Sequence, residues 1–149
     1  MRAVIQRVSR ACVRIEQQEV GIIEGGFLIL IGVADGDTAG DAEYLAQKIV
    51  ELRVFEDSGG KMNLALGEVS GSVLAISQFT LLADCRKGRR PSFSHAATPD
   101  VAQPLFERFV EAVRLRGIPI QTGRFGAHME VELVNDGPVT LLLDSRNRA

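Results

Sequence analysis

Residues 2–15 carry apolar side chains at two-residue spacing, but in both parities. Val4, Val8 and Cys12 form one set, and Ile5, Ala11, Val13 and Ile15 the other. The pattern predicts a long strand without fixing which face is buried. Gln17-Gln18 turns the chain into a strand over 19–23. Glu24-Gly25-Gly26 then turns it into Phe27 to Val33, a continuous apolar run typical of a buried strand. The opening therefore predicts a three-stranded meander. Ala42, Leu45, Ile49 and Leu52 form the stripe of an amphipathic helix, with Asp37 or Thr38 as cap and Asp41 in its first turn. A strand begins over Arg53 to Phe55, Asp57-Ser58-Gly59-Gly60 is a turn, and Lys61 to Leu66 fits no single pattern. Val73 to Ile76 lead a strand over 72–80. A second helix opens at Thr98-Pro99, with Val101, Leu105, Phe109 and Val113 as its stripe and Gly117 and Pro119 as its stop. Ile120 to Arg124 is a strand. Met129 to Val134 and Val139 to Leu143 flank Asn135-Asp136-Gly137-Pro138, where Asp-Gly predicts a tight hairpin. Pro138 cannot donate to a ladder, so it belongs at an edge or a turn. The same stretch also suits a rigid backbone projection. Together these elements predict one α+β domain over 1–149, two main helices packed on a curved, mainly antiparallel sheet. Asn147 to Ala149 reads as a loose tail.

Composition changes this picture little. Hydrophobic residues make up 46% and charged residues 24% of the 149, as in ordinary globular domains. No apolar run approaches the roughly 18 residues that would span a bilayer, and no signal-peptide pattern precedes Ile5-Gln6-Arg7, so a cytoplasmic location is expected. Cys12 and Cys85 are then expected as free thiols. His95 and His128 are too few for a zinc site, and no metal or cofactor is expected. The net charge of −2 excludes a strongly basic chain. It leaves room for a local patch, Arg86-Lys87-Gly88-Arg89-Arg90, inside a long loop over 83–97.

Ser77-Gln78-Phe79-Thr80 ends the central strand where that loop begins. Two hydroxyls, an amide and several backbone N–H groups meet there on a rigid support. Strand ends of this kind are also simply core. No histidine has a spacing that ties it to Ser77 or Thr80 as a base, Gly59-Gly60-Lys61 lacks phosphate-loop spacing, and the carboxylates are scattered.

Ile5-Gln6-Arg7-Val8, Gly60-Lys61-Met62-Asn63, Ser77-Gln78-Phe79-Thr80-Leu81, Arg90-Pro91-Ser92-Phe93-Ser94, Thr122-Gly123-Arg124-Phe125 and Asn135-Asp136-Gly137-Pro138-Val139-Thr140 follow one another along the chain. In that order and spacing they resemble the D-aminoacyl-tRNA deacylase family. The resemblance implies a barrel-like sheet, a homodimer, no cofactor, and hydrolysis of D-aminoacyl-tRNA and of glycine mischarged on tRNA. It implies that Ser77, Gln78, Phe79 and Thr80 form a pocket. A cis Gly137-Pro138 element of the other subunit would enter that pocket and reject L-amino acids, with Arg7 supporting it. Phe125 and Met129 are expected to line the pocket. Arg86, Lys87, Arg89 and Arg90 are expected to hold tRNA phosphates.

The chemistry has its own logic. An enzyme serving many D-amino acids cannot grip one side chain, and contacts to a methyl-sized group discriminate by only roughly 1–3 kcal/mol. A rigid clash against the L side chain does more, and it admits glycine. For hydrolysis, either Thr80 is a nucleophile, which needs a base, or backbone N–H groups near Phe79 and Thr80 stabilise the oxyanion while the RNA 2′-hydroxyl assists water. A non-catalytic RNA-binding module and a Ser/Thr esterase of small molecules are the rival classes.

Overall fold

β1 (Arg2–Ile15) is the axis of the sheet, because both of its edges are used. β2 (Gln18–Ile23) pairs with Ala11–Ile15, and β3 (Gly26–Gly32) pairs with Arg2–Val8. The two lie along one edge of β1 as halves of a single antiparallel partner, broken at Glu24-Gly25. This is not the expected meander, since β3 returns to β1 and does not pair with β2. In the computed structural model, which describes residues 1–148, the break coincides with a close backbone crossing. Gly26 has φ +150°, and a Cβ there would lie 1.8 Å from the Ser72 carbonyl oxygen. Only glycine allows both. Ala149, part of the expected tail, lies outside the described residues.

β3 is followed by α1 (Ala39–Glu51) and a short hairpin of β4 (Phe55–Glu56) and β5 (Met62–Leu64). This excursion returns the chain as β6 (Ser72–Ser77), parallel to β3. α2 (Pro99–Leu115) does the same for β7 (Ile120–Thr122), parallel to β6. Helical crossovers return strands in parallel, so the sheet is mixed: its three pairings on β1 are antiparallel, as expected for most of the sheet, and β3–β6 and β6–β7 are parallel. It curls until β7 meets β2, where the Ile22 N–H donates to Gln121 Oε1 at 2.9 Å. The result is a nearly closed, barrel-like α+β fold.

The unassigned face of β1 now has a cause. Ala3 and Ile5 face the helices with Phe27, Ile29, Ile31 and Val73. Ala11 and Val13, of the same parity, face inward with Leu28, Leu74 and Ile76. The ladder shifts between Val8 and Arg10, and a one-residue irregularity exchanges the faces of everything beyond it. α1 buries Ala42, Leu45, Ala46 and Ile49, close to the expected stripe. In α2 the stripe is rotated: Ala102, Phe106, Phe109, Val110 and Val113 are buried, while Val101 is 43% exposed. A constant spacing of four drifts around a 3.6-residue helix. A 4-3-4 spacing does not, and so Phe106 wins over Leu105.

β8 (Glu130–Asp144) holds the largest departure from expectation. It is one strand along the second edge of β1, and no hairpin forms. Thr140 pairs with Gln6 and Asn135 with Val8, so residues 136–139 are extra and bulge out opposite Arg7. The end of β8 is tied to α1. Ser145 Oγ accepts from the buried Met1 ammonium at 2.7 Å and donates to Asp41 Oδ1 at 2.7 Å. Burial pushes the Asp41 carboxyl up, but hydrogen bonds from Ser145 and Thr38 and the nearby ammonium bring it down to about 2.

Candidate active site

β6 stops at Ser77. The Gln78 N–H still donates to the Ile31 carbonyl at 2.7 Å, continuing the parallel ladder. Gln78 then turns the chain into a single 3-10 turn, Phe79–Leu82. The first N–H groups of such a turn have no partner inside it. Among the described residues, neither the Phe79 nor the Thr80 N–H finds an acceptor elsewhere. The Gln78 amide donates to Thr80 Oγ1. No histidine or carboxylate among the described residues is hydrogen-bonded to Ser77 or Thr80, whereas His95 lies 4.0 Å from Asp84.

A cavity of about 490 Å³ opens over this turn. Its polar edge is Ser77 and Gln78, and its apolar wall includes Phe79, Phe93, Ala102 and Phe125. The structure therefore brings Phe125 together with the Ser77–Phe79 segment. Met129 sits elsewhere, packed among the inward-facing residues, where its sulfur would lie 2.4 Å from a Cβ on Gly123. It does not line this cavity.

Gly137 and Pro138 do not line it either. They form the exposed crest of the β8 bulge, with a cis Gly137-Pro138 bond. The bulge is braced from below. Arg7, only 5% exposed, donates from Nε to the Asp136 carbonyl at 2.9 Å and from Nη1 to the Val54 carbonyl at 2.6 Å. One planar guanidinium thus links the bulge to the segment after α1, a use that suits the rigid fork of arginine. Asn135 closes the base of the bulge. Its Oδ1 accepts from the Val139 N–H at 2.8 Å, and its Nδ2 donates to Thr140 Oγ1 at 3.1 Å. Gly137 has φ +137° and a Cβ there would meet Val139 Cγ2 at 2.9 Å and Arg7 Nη2 at 3.1 Å.

The basic residues are not equivalent. Asp84 and Ser92 exchange backbone hydrogen bonds at 2.7 and 2.9 Å, pinching the loop so that 85–91 form its tip. Arg86 is engaged by Asp84 through Nε at 2.9 Å and Nη2 at 2.6 Å. Those hydrogen bonds hold the Asp84 carboxyl well below the usual carboxylate range. Lys87, Arg89 and Arg90 are exposed and, among the described residues, carry no ion pair. Sequence reasoning missed Asn135 and Phe93 as site residues. An Asn immediately before Asp-Gly was the available signal for the first, since Asn side chains bond locally to backbone. Nothing in the spacing announces that Phe93 returns to Phe79. Among the described residues, no three His, Cys, Asp or Glu side chains group as metal ligands, and no helix is long and apolar enough to cross a membrane.

Comparison with known proteins places this geometry. Residues 4–144 match the family model described as D-Tyr-tRNA(Tyr) deacylase. The D-aminoacyl-tRNA deacylase of Thermosipho africanus is 58% identical over 146 residues, covering 98% of each chain. That of Thermus aquaticus is 57% identical over 148 residues, covering 99% of this chain and 97% of that one. A solved structure described as c-Myc DNA Unwinding Element Binding Protein superposes with a TM-score of 0.91 at 38% identity, covering 97% of this chain and 98% of that one. A probable eukaryotic D-amino acid tRNA deacylase shares the fold, with a TM-score of 0.80 at 21% identity and 95% and 97% coverage.

Proposed function

The chain belongs to the D-Tyr-tRNA(Tyr) deacylase family, and from that premise we propose that it hydrolyses the ester joining a D-amino acid to the 3′-terminal adenosine of tRNA. The observation that carries this reading is the pair of unengaged N–H groups at Phe79 and Thr80, held on a strand end beside an apolar cavity. As the ester carbonyl turns tetrahedral, its oxygen gains charge. Fixed donors aimed at it typically supply roughly 3–4 kcal/mol each in transition-state stabilisation. Among the described residues no base is hydrogen-bonded to Thr80, so its hydroxyl is a positioning group and water is the nucleophile, assisted by the RNA 2′-hydroxyl.

Selectivity resides in the Gly137-Pro138 bulge of a second copy of the chain. In one chain the bulge and the cavity are separate, so a complete site needs a partner. The outer edge of β8 offers a surface for one: it is a long strand paired on one side only, with Val134 46% and Leu142 76% exposed. A two-fold pair makes two equivalent sites. The bulge clashes with an L side chain, tolerates the D enantiomer, and admits glycine. Lys87, Arg89 and Arg90 hold acceptor-end phosphates, and Arg86 joins them when phosphate displaces Asp84. The proposed location is the cytoplasm, where charged tRNA is found.

The test is incubation with matched D- and L-tyrosyl-tRNA, glycyl-tRNA and a simple tyrosyl ester. Rapid loss of D-tyrosyl-tRNA and slower loss of glycyl-tRNA are expected, with the L form and the ester spared. Equal loss of both enantiomers rejects the filter. An RNA-binding module without hydrolysis has the exposed cations Lys87, Arg89 and Arg90 in its favour. It predicts retention of tRNA with no ester loss.

A further inference from the structure

The cavity wall contains a contact that the hydrolytic chemistry does not require. Phe93 comes from the basic loop, and its ring meets that of Phe79 edge to face, with centroids 5.0 Å apart and planes at 69°. Both rings are conspicuously open to solvent, Phe79 by 56% and Phe93 by 38%. Phe93 is also the first residue beyond the Asp84–Ser92 pinch. On the far side of that pinch lies the tip with Lys87, Arg89 and Arg90. Beyond Phe93 the chain is fixed again, since the Ala97 N–H donates to the Val33 carbonyl at 3.0 Å and the His95 carbonyl accepts from the Asp35 N–H at 2.9 Å. The phenyl ring is thus carried on a short arm between a charged tip and a rigid root. It rests on Phe79, whose own N–H is unengaged and is assigned to the oxyanion in the deacylase reading.

We propose that Phe93 is a positioning residue that couples phosphate engagement at the loop tip to the placement of the Phe79–Thr80 N–H groups. The inference rests on the deacylase reading of this cavity. Phosphate binding at Lys87, Arg89 and Arg90 fixes the tip, and the pinch carries that constraint to Phe93. Its ring then restrains Phe79 against the cavity wall. A small change in oxyanion-donor position is enough, because misplacement by about 1 Å can cost on the order of a hundredfold in rate. Full-length substrate is therefore turned over faster than a fragment with the same ester, beyond any difference in binding.

The experiment compares kcat and KM for D-tyrosyl-tRNA and for 3′-D-tyrosyl-adenosine, which has the ester and the 2′-hydroxyl but no phosphates. In the wild type kcat should favour the tRNA. In Phe93→Ala that preference should fall about tenfold with KM on the tRNA changed little, and Phe93→Leu, which refills the contact, should recover most of it. A Phe93→Ala variant combined with Arg89→Ala and Arg90→Ala should lose no more kcat than the worse of its parents, because both act through one route. Equal losses on the two substrates, no loss on tRNA, or additive effects on kcat would each overturn the coupling. Wild-type protein inert toward both substrates would overturn the deacylase reading itself, and the coupling with it.

Discussion

The Ser77–Thr80 turn and the Gly137-Pro138 bulge are both short departures from a strand, yet they are held in opposite ways. The turn continues a buried parallel strand, and its N–H groups are aimed by main-chain hydrogen bonds from Gln78 to Ile31 and from Ala83 to Thr80. The bulge leaves an edge strand, and side chains hold it in shape: Arg7 through two carbonyls and Asn135 through Val139 and Thr140. A backbone-built site tolerates loss of its own side chains. A side-chain-braced projection does not tolerate loss of its braces. Turnover and chiral selectivity should therefore respond to different mutations.

The largest separation is expected from Gly137→Ala. An alanine there is strained at φ +137° and would crowd Arg7. The ratio of D- to L-tyrosyl-tRNA hydrolysis should fall about a hundredfold, mostly through a faster L reaction. Asp41 lies outside both regions, at the tie between α1 and the end of β8, and gives a baseline for stability. Asp41, depressed to about 2 from 3.8, stabilises the fold fully above its unfolded value and loses that contribution as pH falls through the folded one. Roughly 2 kcal/mol should disappear between about pH 4 and pH 2, and denaturant titrations of the wild type and Asp41→Asn should converge across that window. Asn135→Ala removes one brace and leaves Arg7. The D to L ratio should drop about tenfold, at a stability cost of about 1 kcal/mol. Thr80→Ala should change kcat on D-tyrosyl-tRNA by less than about threefold, because its N–H remains. A thousandfold loss there would return Thr80 to the role of nucleophile.

How much of this was legible in the sequence follows from the same contrast. Core elements announce themselves by period, so β3, β6, α1 and both helix caps were readable. The central strand was expected to run to Thr80, but it stops at Ser77, and the 3-10 turn at Phe79–Leu82 has no periodic signal. Bulges are long-range facts. The face exchange in β1 and the absence of a hairpin at Asp136-Gly137 depend on pairing between residues far apart in sequence, and no local pattern encodes that. The parallel pairings were hidden for the same reason. A helix between two strands announces a crossover, but short intervening elements and turns masked it here. The brace on the bulge was half visible. Arg7 was suggested by family resemblance, whereas the Asn135 hydrogen bonds depend on the bulge itself.

The most direct test of the division between turnover and selectivity is a paired measurement on Arg7→Lys. Lysine keeps the charge but cannot bond the Asp136 and Val54 carbonyls together in the fixed geometry of a guanidinium. Rates of ester loss from D- and L-tyrosyl-tRNA would be followed side by side with the wild type. The D rate should stay within about threefold, while the L rate rises by an order of magnitude or more. A fall of both rates by the same factor would show that Arg7 serves the hydrolytic turn or the fold as a whole, and that the two regions are not separable.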